Sequence, residues 1–382
     1  MRVLLLSAAV LSFSTAAYAE TVTGTKGSKI EITTLDTFDG PWAMTQLPDG
    51  RMLVTEKSGA IWLVGRDGKK LGKIAGAPSV TERGQGGMGD IIIHPDFASN
   101  NQVYISYVER DAKNDALSGA AVDMMTLNLS ARGGSLSAAK RVWEQSPKVT
   151  GNGHYGHRMA VSPATAEDGG GYLYITSGER QKFTPSQNMD MNLGKVVRVN
   201  MDGSVPEDNP FYAQGGVTKE IWTLGHRNPL GIDFDPDGQL WVHEMGPRDG
   251  DELNHIVRSS NYGYPVVSNG KHYSGVDIPD HDTNPVFNSP EAYWVPAISP
   301  AGFTIYDGDL FSDWKGDGFI GGLSSQALIR VEFGEGNRRG PSAEEAERFE
   351  WGNRIREVET GLDGALYVLE DDGGRLLRIT PK

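Results

Sequence analysis

The residues best suited to chemistry stand in two groups, Gly225-His226-Arg227-Asn228-Pro229-Leu230-Gly231 and Glu244-Met245-Gly246-Pro247-Arg248-Asp249-Gly250-Asp251-Glu252. Arg227 offers a planar fork of donors suited to carboxylates or quinone oxygens. The Gly-Pro turn offers carbonyl oxygens, and the acidic run offers hard ligands of the kind calcium takes. Between them, Gly231-Ile232-Asp233-Phe234-Asp235 and Gln239-Leu240-Trp241-Val242 read as a hairpin that returns both groups to one end of a sheet. A cationic fork beside calcium-type oxygens suggests an anionic cofactor held by both.

Further candidates sit where loops meet strands. His154, in Gly153-His154-Tyr155-Gly156-His157-Arg158, precedes an apolar strand, and a loop histidine can serve as a general base. Its H-x-x-H spacing also admits zinc, although no further ligands stand at a recognisable spacing. Glu179, in Thr176-Ser177-Gly178-Glu179-Arg180, ends the same hairpin, so strand return brings it toward His154. There a carboxylate could orient the imidazole and stabilise its protonated form. Arg354 and Arg356 are two apart, which on an extended segment points both guanidiniums to one side and suits a polycarboxylate. Gln85 lies in the glycine-rich turn Gly84-Gln85-Gly86-Gly87-Met88-Gly89, with no helix following to favour a nucleotide.

The elements that must position these residues are strands. Short runs of Val, Ile, Leu, Tyr and Trp alternate with turn signals, and amphipathic helix periodicity is almost absent. One shape recurs: an apolar strand, a Pro-Asp-Gly-like turn, a second apolar strand. It appears from Ala43 to Val54, from Asp90 to Ser106, from Met159 to Thr176 and from Ile232 to Val242. A weaker instance runs from Gly302 to Gly321, and the clearest from Val358 to Leu369. These hairpins predict an all-β fold, a six-bladed β-propeller with four-stranded antiparallel blades. A pair of β-sandwiches is the alternative, but no linker divides the chain. Ile30-Glu31-Ile32-Thr33-Thr34 could pair with the C-terminal blade and close the ring. Irregular insertions are expected on the faces at 110–120, 180–220 and 264–298.

Residues 1–19 read as a secretory signal peptide, with Arg2, an apolar run from Val3 to Leu11 and Ala17-Tyr18-Ala19 before the cut. Residues 20–382 then form one domain without an integral membrane segment, in the periplasm or secreted. A net charge of −14 disfavours nucleic acid and anionic membrane surfaces. The chain has no cysteine, so neither disulfides nor thiolate metal sites exist. Its length permits a large packed core instead.

Taken together, the order of Gly225-His226-Arg227-Asn228-Pro229, Gly246-Pro247 with Asp251-Glu252, Asn261-Tyr262-Gly263-Tyr264-Pro265 and Asn353-Arg354-Ile355-Arg356-Glu357-Val358 resembles the soluble pyrroloquinoline quinone (PQQ)-dependent glucose/aldose sugar dehydrogenases. The resemblance covers nearly all of the chain after the leader and implies a six-bladed propeller. It implies that His154 is the catalytic base and Glu179 the acid oriented against it. Gln85, Arg227, Asn228, Arg354 and Arg356 fall where the family contacts the quinone, and Tyr273 where a tyrosine packs near it. The carbonyls of Gly246 and Pro247 match the ligands of the cofactor-bound calcium; Glu252 and the carbonyl of Tyr262 match a second, structural calcium. The implied reaction is oxidation of an aldose at C1, with an electron acceptor that the sequence leaves unidentified.

Three positions depart from the family pattern. Ser324 stands where the family has a lysine that pairs with the quinone, Ala297 where some members have a threonine, and Met245 replaces a polar residue. Weaker cofactor binding is the expectation. Two other functions remain in view: a non-catalytic, calcium-stabilised propeller that binds a protein or polysaccharide, and a dehydrogenase for non-aldose substrates such as sorbosone.

Overall fold

The computed structural model describes residues 19–337 and 340–382; the leader expected over residues 1–19 falls, but for Ala19, outside them. The recurring hairpins form because each joins two β-rich runs through a turn that needs a positive φ. In the turn at Gly50, the Gly50 amide donates to the Leu47 carbonyl and the Leu47 amide to the Arg51 carbonyl. The same pair of bonds recurs at Gly238 and Gly364. The three glycines have φ of 84°, 82° and 78°, a region costly for residues with a Cβ.

Strand order follows the chain. Three sheets have four strands each: Gly156–Val161 to Ile221–Leu224, Pro229–Phe234 to Ala292–Trp294, and Pro300–Ile305 to Gly340–Glu350. An eight-stranded sheet consists of two antiparallel quartets, joined only where Ile74 and Ala75 run parallel to Gly134 and Ser135. A five-stranded sheet pairs Lys29–Thr37 with Arg375–Pro381, so the N-terminal residues Ile30–Thr34 do close onto the last strands. The first strands of these units pack in cyclic succession. Pro41–Gln46 meets Met88–Ile93, then come Gly156–Val161, Pro229–Phe234, Pro300–Ile305 and Ile355–Thr360, which returns to Pro41–Gln46. This is an all-β, propeller-type arrangement.

Apolar cores lie between successive quartets, as where Leu53 and Leu63 of one quartet of the eight-stranded sheet cluster with Ile91 and Ile105 of the other. Inside the ring, Arg158 donates to Glu357 with both terminal nitrogens, one at 2.9 Å, and its Nε donates to the Leu230 carbonyl at 3.0 Å. Charged groups buried this way hold only while paired, because an orphaned ion in low dielectric is costly.

Two of the expected irregular insertions contain regular structure. Lys195–Asn200 lies inside 180–220 and forms an interior strand, with Val196, Val197 and Val199 buried. Ala292–Trp294 lies inside 264–298 and forms the outer strand of its sheet. Both are short and flanked by long loops, which mask a period of two.

Candidate active site

His154 is delivered by the tight segment before Gly156–Val161, at a left-handed φ of 50°. Its amide donates to Gln85 Oε1 at 2.6 Å, and its Nδ1 is hydrogen-bonded to Glu179 Oε1. Glu179 is fully buried and also accepts from three backbone amides: Gln181 at 2.9 Å, Phe183 at 2.6 Å, and Lys182. Burial works to raise the Glu179 pKa, but His154, these amides and Arg227 outweigh it and hold the carboxyl below its usual value. An anion so held fixes the imidazole with Nδ1 toward the carboxylate. Nε2 has no partner among the described residues, and His154 lines a cavity of about 240 Å³ with Arg227, Pro247, Tyr264 and Tyr273. Burial, together with the charges of Arg227 and Arg180, holds His154 below its ordinary pKa despite Glu179. The ring is therefore poised as a neutral base.

Arg227 and Asn228 lie in the connection between Ile221–Leu224 and Pro229–Phe234. The Arg227 carbonyl accepts from the Glu179 amide at 2.8 Å, so the two halves of the site are tied through backbone. Arg227 Nη1 donates to the Met245 carbonyl at 2.9 Å, and its guanidinium lies 5.9 Å from the ring centres of both Tyr264 and Tyr273. Tyr273 itself is 74% exposed, at the rim rather than inside the cavity. Among the described residues, Arg227 Nε and Asn228 Oδ1 are buried without hydrogen-bond partners. Orphaned polar atoms at such a wall are what a polar ligand would satisfy.

A second cavity of about 380 Å³ is lined by Gln85, Asn228, Leu323, Arg354, Arg356 and Asp371, among others. The contact from Gln85 to His154 and the adjacency of Arg227 to Asn228 make the two cavities neighbours across one wall. Arg354 Nε donates to Asp371 at 3.0 Å, while Arg356 donates to the same carboxylate through Nε at 2.9 Å and Nη2 at 2.7 Å. Both guanidiniums thus reach one side, as their spacing predicts. Burial raises and the two arginines lower the Asp371 pKa, with the arginines prevailing. Asp371 escaped the sequence reading. Its signal was the acid run Glu370-Asp371-Asp372 just beyond the last hairpin, where a pocket-facing loop was to be expected.

The Gly246-Pro247 turn is shaped by Asp251, which accepts from the Gly246 amide at 2.9 Å and the Ser299 amide at 2.7 Å. Burial pushes the Asp251 carboxyl up to about 6. Among the described residues, no hydrogen bond ends on the Gly246, Pro247 or Tyr262 carbonyls. Glu252 is engaged: Oε1 faces His281 Nε2 at 3.1 Å, and Oε2 accepts from Asn254 at 3.3 Å. Among the described residues, no group of three or more His, Asp or Glu stands together as a metal site. A calcium here would depend on carbonyls and water beside at most one carboxylate, a donor set that hard cations accept. The zinc alternative gains no third ligand among the described residues, and His157 is engaged elsewhere, its Nδ1 bonded to Ser106 Oγ at 2.8 Å and its ring stacked on Trp42. Two of the three departures from the family pattern touch, since the Ser324 hydroxyl donates to the Ala297 carbonyl at 3.0 Å.

Comparison with known proteins identifies the family of the chain. The sequence pattern of the Glucose / Sorbosone dehydrogenase family matches residues 38–378. The aldose sugar dehydrogenase YliI of Escherichia coli K12 is 36% identical over 356 residues, covering 91% of each chain. The crystal structure of the soluble aldose sugar dehydrogenase from E. coli in the apo form superposes with a TM-score of 0.84 at 35% identity, covering 92% of this chain and 100% of that one. The PQQ-bound aldose sugar dehydrogenase of Streptomyces coelicolor superposes with a TM-score of 0.70 at 27% identity, covering 93% and 99%. No helix among the described residues is long and apolar enough to cross a membrane. A match over this much of the chain, with these residues gathered at one site, places the chain in the glucose/sorbosone dehydrogenase family, soluble PQQ-dependent oxidoreductases acting on sugar CH–OH groups.

Proposed function

We propose that this protein oxidises aldose sugars at C1 to the lactone, with His154 as general base and with PQQ and calcium as cofactors. The observation that carries the reading is the His154–Glu179 pair: Nδ1 is locked on a buried carboxylate, Nε2 has no partner among the described residues, and the residue lines the cavity that Arg227 also lines. In this position Nε2 takes the proton of the C1 hydroxyl, and Glu179 stabilises the imidazolium that forms. Arg227, with Nε free, stabilises negative charge developing opposite the base. Arg354 and Arg356 hold carboxylates in the neighbouring cavity, with Gln85 and Asn228 on its wall and Tyr273 at the rim. The carbonyls of Gly246 and Pro247 would hold the calcium beside the cofactor. Bound PQQ would supply the two-electron acceptor for the C1 hydride, with calcium polarising its C5 carbonyl. Reoxidation uses an external acceptor.

The architecture proposed for 20–382 is a single domain of six four-stranded blades. Its supports are the two-residue join within the eight-stranded sheet and the cyclic packing of the first strands. Export of this domain to the periplasm or outside the cell rests on the N-terminal sequence. A structural calcium at Glu252 and the Tyr262 carbonyl has to compete with His281 for Oε1.

Reconstitution tests the reading. PQQ and calcium are added to the purified protein, and quinone absorbance and dye reduction are followed with a panel of aldoses and with sorbosone. Binding with turnover on aldoses is expected. Turnover on sorbosone alone would reassign the substrate, and neither binding nor turnover would favour a calcium-stabilised propeller that binds a protein or polysaccharide.

A further inference from the structure

Arg180 is fully buried, carries a left-handed φ of 63° and, among the described residues, has no carboxylate hydrogen-bonded to its guanidinium. Its guanidinium is spent instead on the segment that delivers His154. Nε donates to the Gly153 carbonyl at 3.0 Å, Nη2 to the Gly151 carbonyl at 2.7 Å, and Nη1 to the Ser118 carbonyl at 2.5 Å. The plane lies 3.7 Å over the ring of Tyr155, whose hydroxyl meets Ser118 Oγ at 2.9 Å. The Arg180 amide donates to the carbonyl of His154 itself at 3.2 Å. Residues 151–155 are therefore gripped on both sides of the histidine, from the residue that follows its carboxylate partner.

Burying a guanidinium with no carboxylate bonded to it is costly, an expense that a methionine packed in the same space would avoid. The fork geometry explains what an apolar side chain could not do: several acceptors at fixed angles are met by one rigid group. The charge matters as well. The charged groups acting on the His154 ring are Glu179 on one side and Arg227 and Arg180 on the other; Gln85 and Asn228 nearby are neutral, and His272, Tyr264 and Tyr273 line the same cavity.

We propose that Arg180 is a positioning residue for the dehydrogenase reaction, fixing the loop that aims His154 and supplying a buried positive charge that keeps the imidazole in its base form. This rests on the assignment of His154 as the base. Burial lowers the Arg180 pKa only to about 10, so the charge is present throughout the working range.

The test uses the whole protein loaded with PQQ and calcium, comparing Arg180→Met, Arg180→Lys and His154→Ala. Quinone affinity is measured by titration, folding by thermal melt, and kcat and kcat/KM against pH. Arg180→Met should keep its quinone affinity while kcat falls by about 10²-fold, the scale of an ångström-level misplacement. Its acid limb in kcat/KM should move to higher pH, because a base relieved of a neighbouring cation holds its proton more tightly. Arg180→Lys should keep the limb in place and still lose kcat, since one ammonium cannot reproduce the fork. An Arg180→Met protein with native kcat and an unmoved limb overturns the inference while an inactive His154→Ala leaves the base intact as a reading. An active His154→Ala overturns both. Should Arg180→Met fail to fold, unaltered kcat in Arg180→Lys overturns the positioning role.

Discussion

Two buried histidine–glutamate pairs in this protein look alike locally and behave in opposite ways. His154 with Glu179 and His281 with Glu252 are both largely shielded from solvent and both in ring-to-carboxylate contact. Burial depresses each imidazole. At His154, Arg227 and Arg180 add to that depression, and the ring sits below its ordinary pKa. At His281, Glu252 and the nearby Glu244 outweigh burial and raise it. The lesson is that contact with a carboxylate does not by itself assign the role of a histidine; the balance between burial and all the surrounding charges does. A ring kept neutral, with one nitrogen open to a cavity, can take a proton from a substrate. A ring whose protonated form is favoured by two carboxylates holds structure.

The sharpest way to break this contrast is to remove each ring. His154→Ala should lower aldose oxidation by about 10²–10⁴-fold with quinone binding retained, measured as dye-linked turnover at saturating cofactor. Near-native turnover would undo the comparison. Arg227→Ala should cost about 2.7–4 kcal/mol in transition-state stabilisation and also weaken quinone affinity, separating it from His154→Ala in the cofactor titration. Ser324→Lys should tighten quinone binding by about 1.5–3 kcal/mol if the new ammonium reaches the cofactor past Ala297, read from the same titration. His281→Ala leaves Glu252 Oε1 without its partner and should cost about 1–3 kcal/mol of stability by denaturant melt, with kcat per bound quinone unchanged. Loss of turnover there would put the second pair in the catalytic machinery. The smallest effect is a displacement in pH. Because the His154 pKa is lowered, the acid limb of kcat/KM should lie below about 6.5, activity being lost as falling pH protonates the ring. A limb above that value would mean that Glu179 dominates, as Glu252 does at His281.

Much of this was legible from local sequence. Apolar alternation around the turns at Gly50, Gly238 and Gly364 marks hairpins because a left-handed turn residue and a period of two are properties of a few consecutive residues. Adjacent motif residues such as Arg227 and Asn228, or Gly246 and Pro247, stay together wherever the chain goes. The strand Lys195–Asn200 was overlooked because its loops are longer than itself.

What the sequence alone determined was the all-β character, the placement of His154, Glu179 and the arginine pair at strand ends, and the family. Only the tertiary structure decided that Asp371 pairs with both Arg354 and Arg356, that Arg180 grips the loop of His154, and that His281 faces Glu252. The physical reason is range. Turns and strand periods are set by neighbours in the chain, whereas a proton's preference is set by every charge within a few ångströms in space, and here Arg227 reaches His154 from a different loop than Glu179 and Arg180.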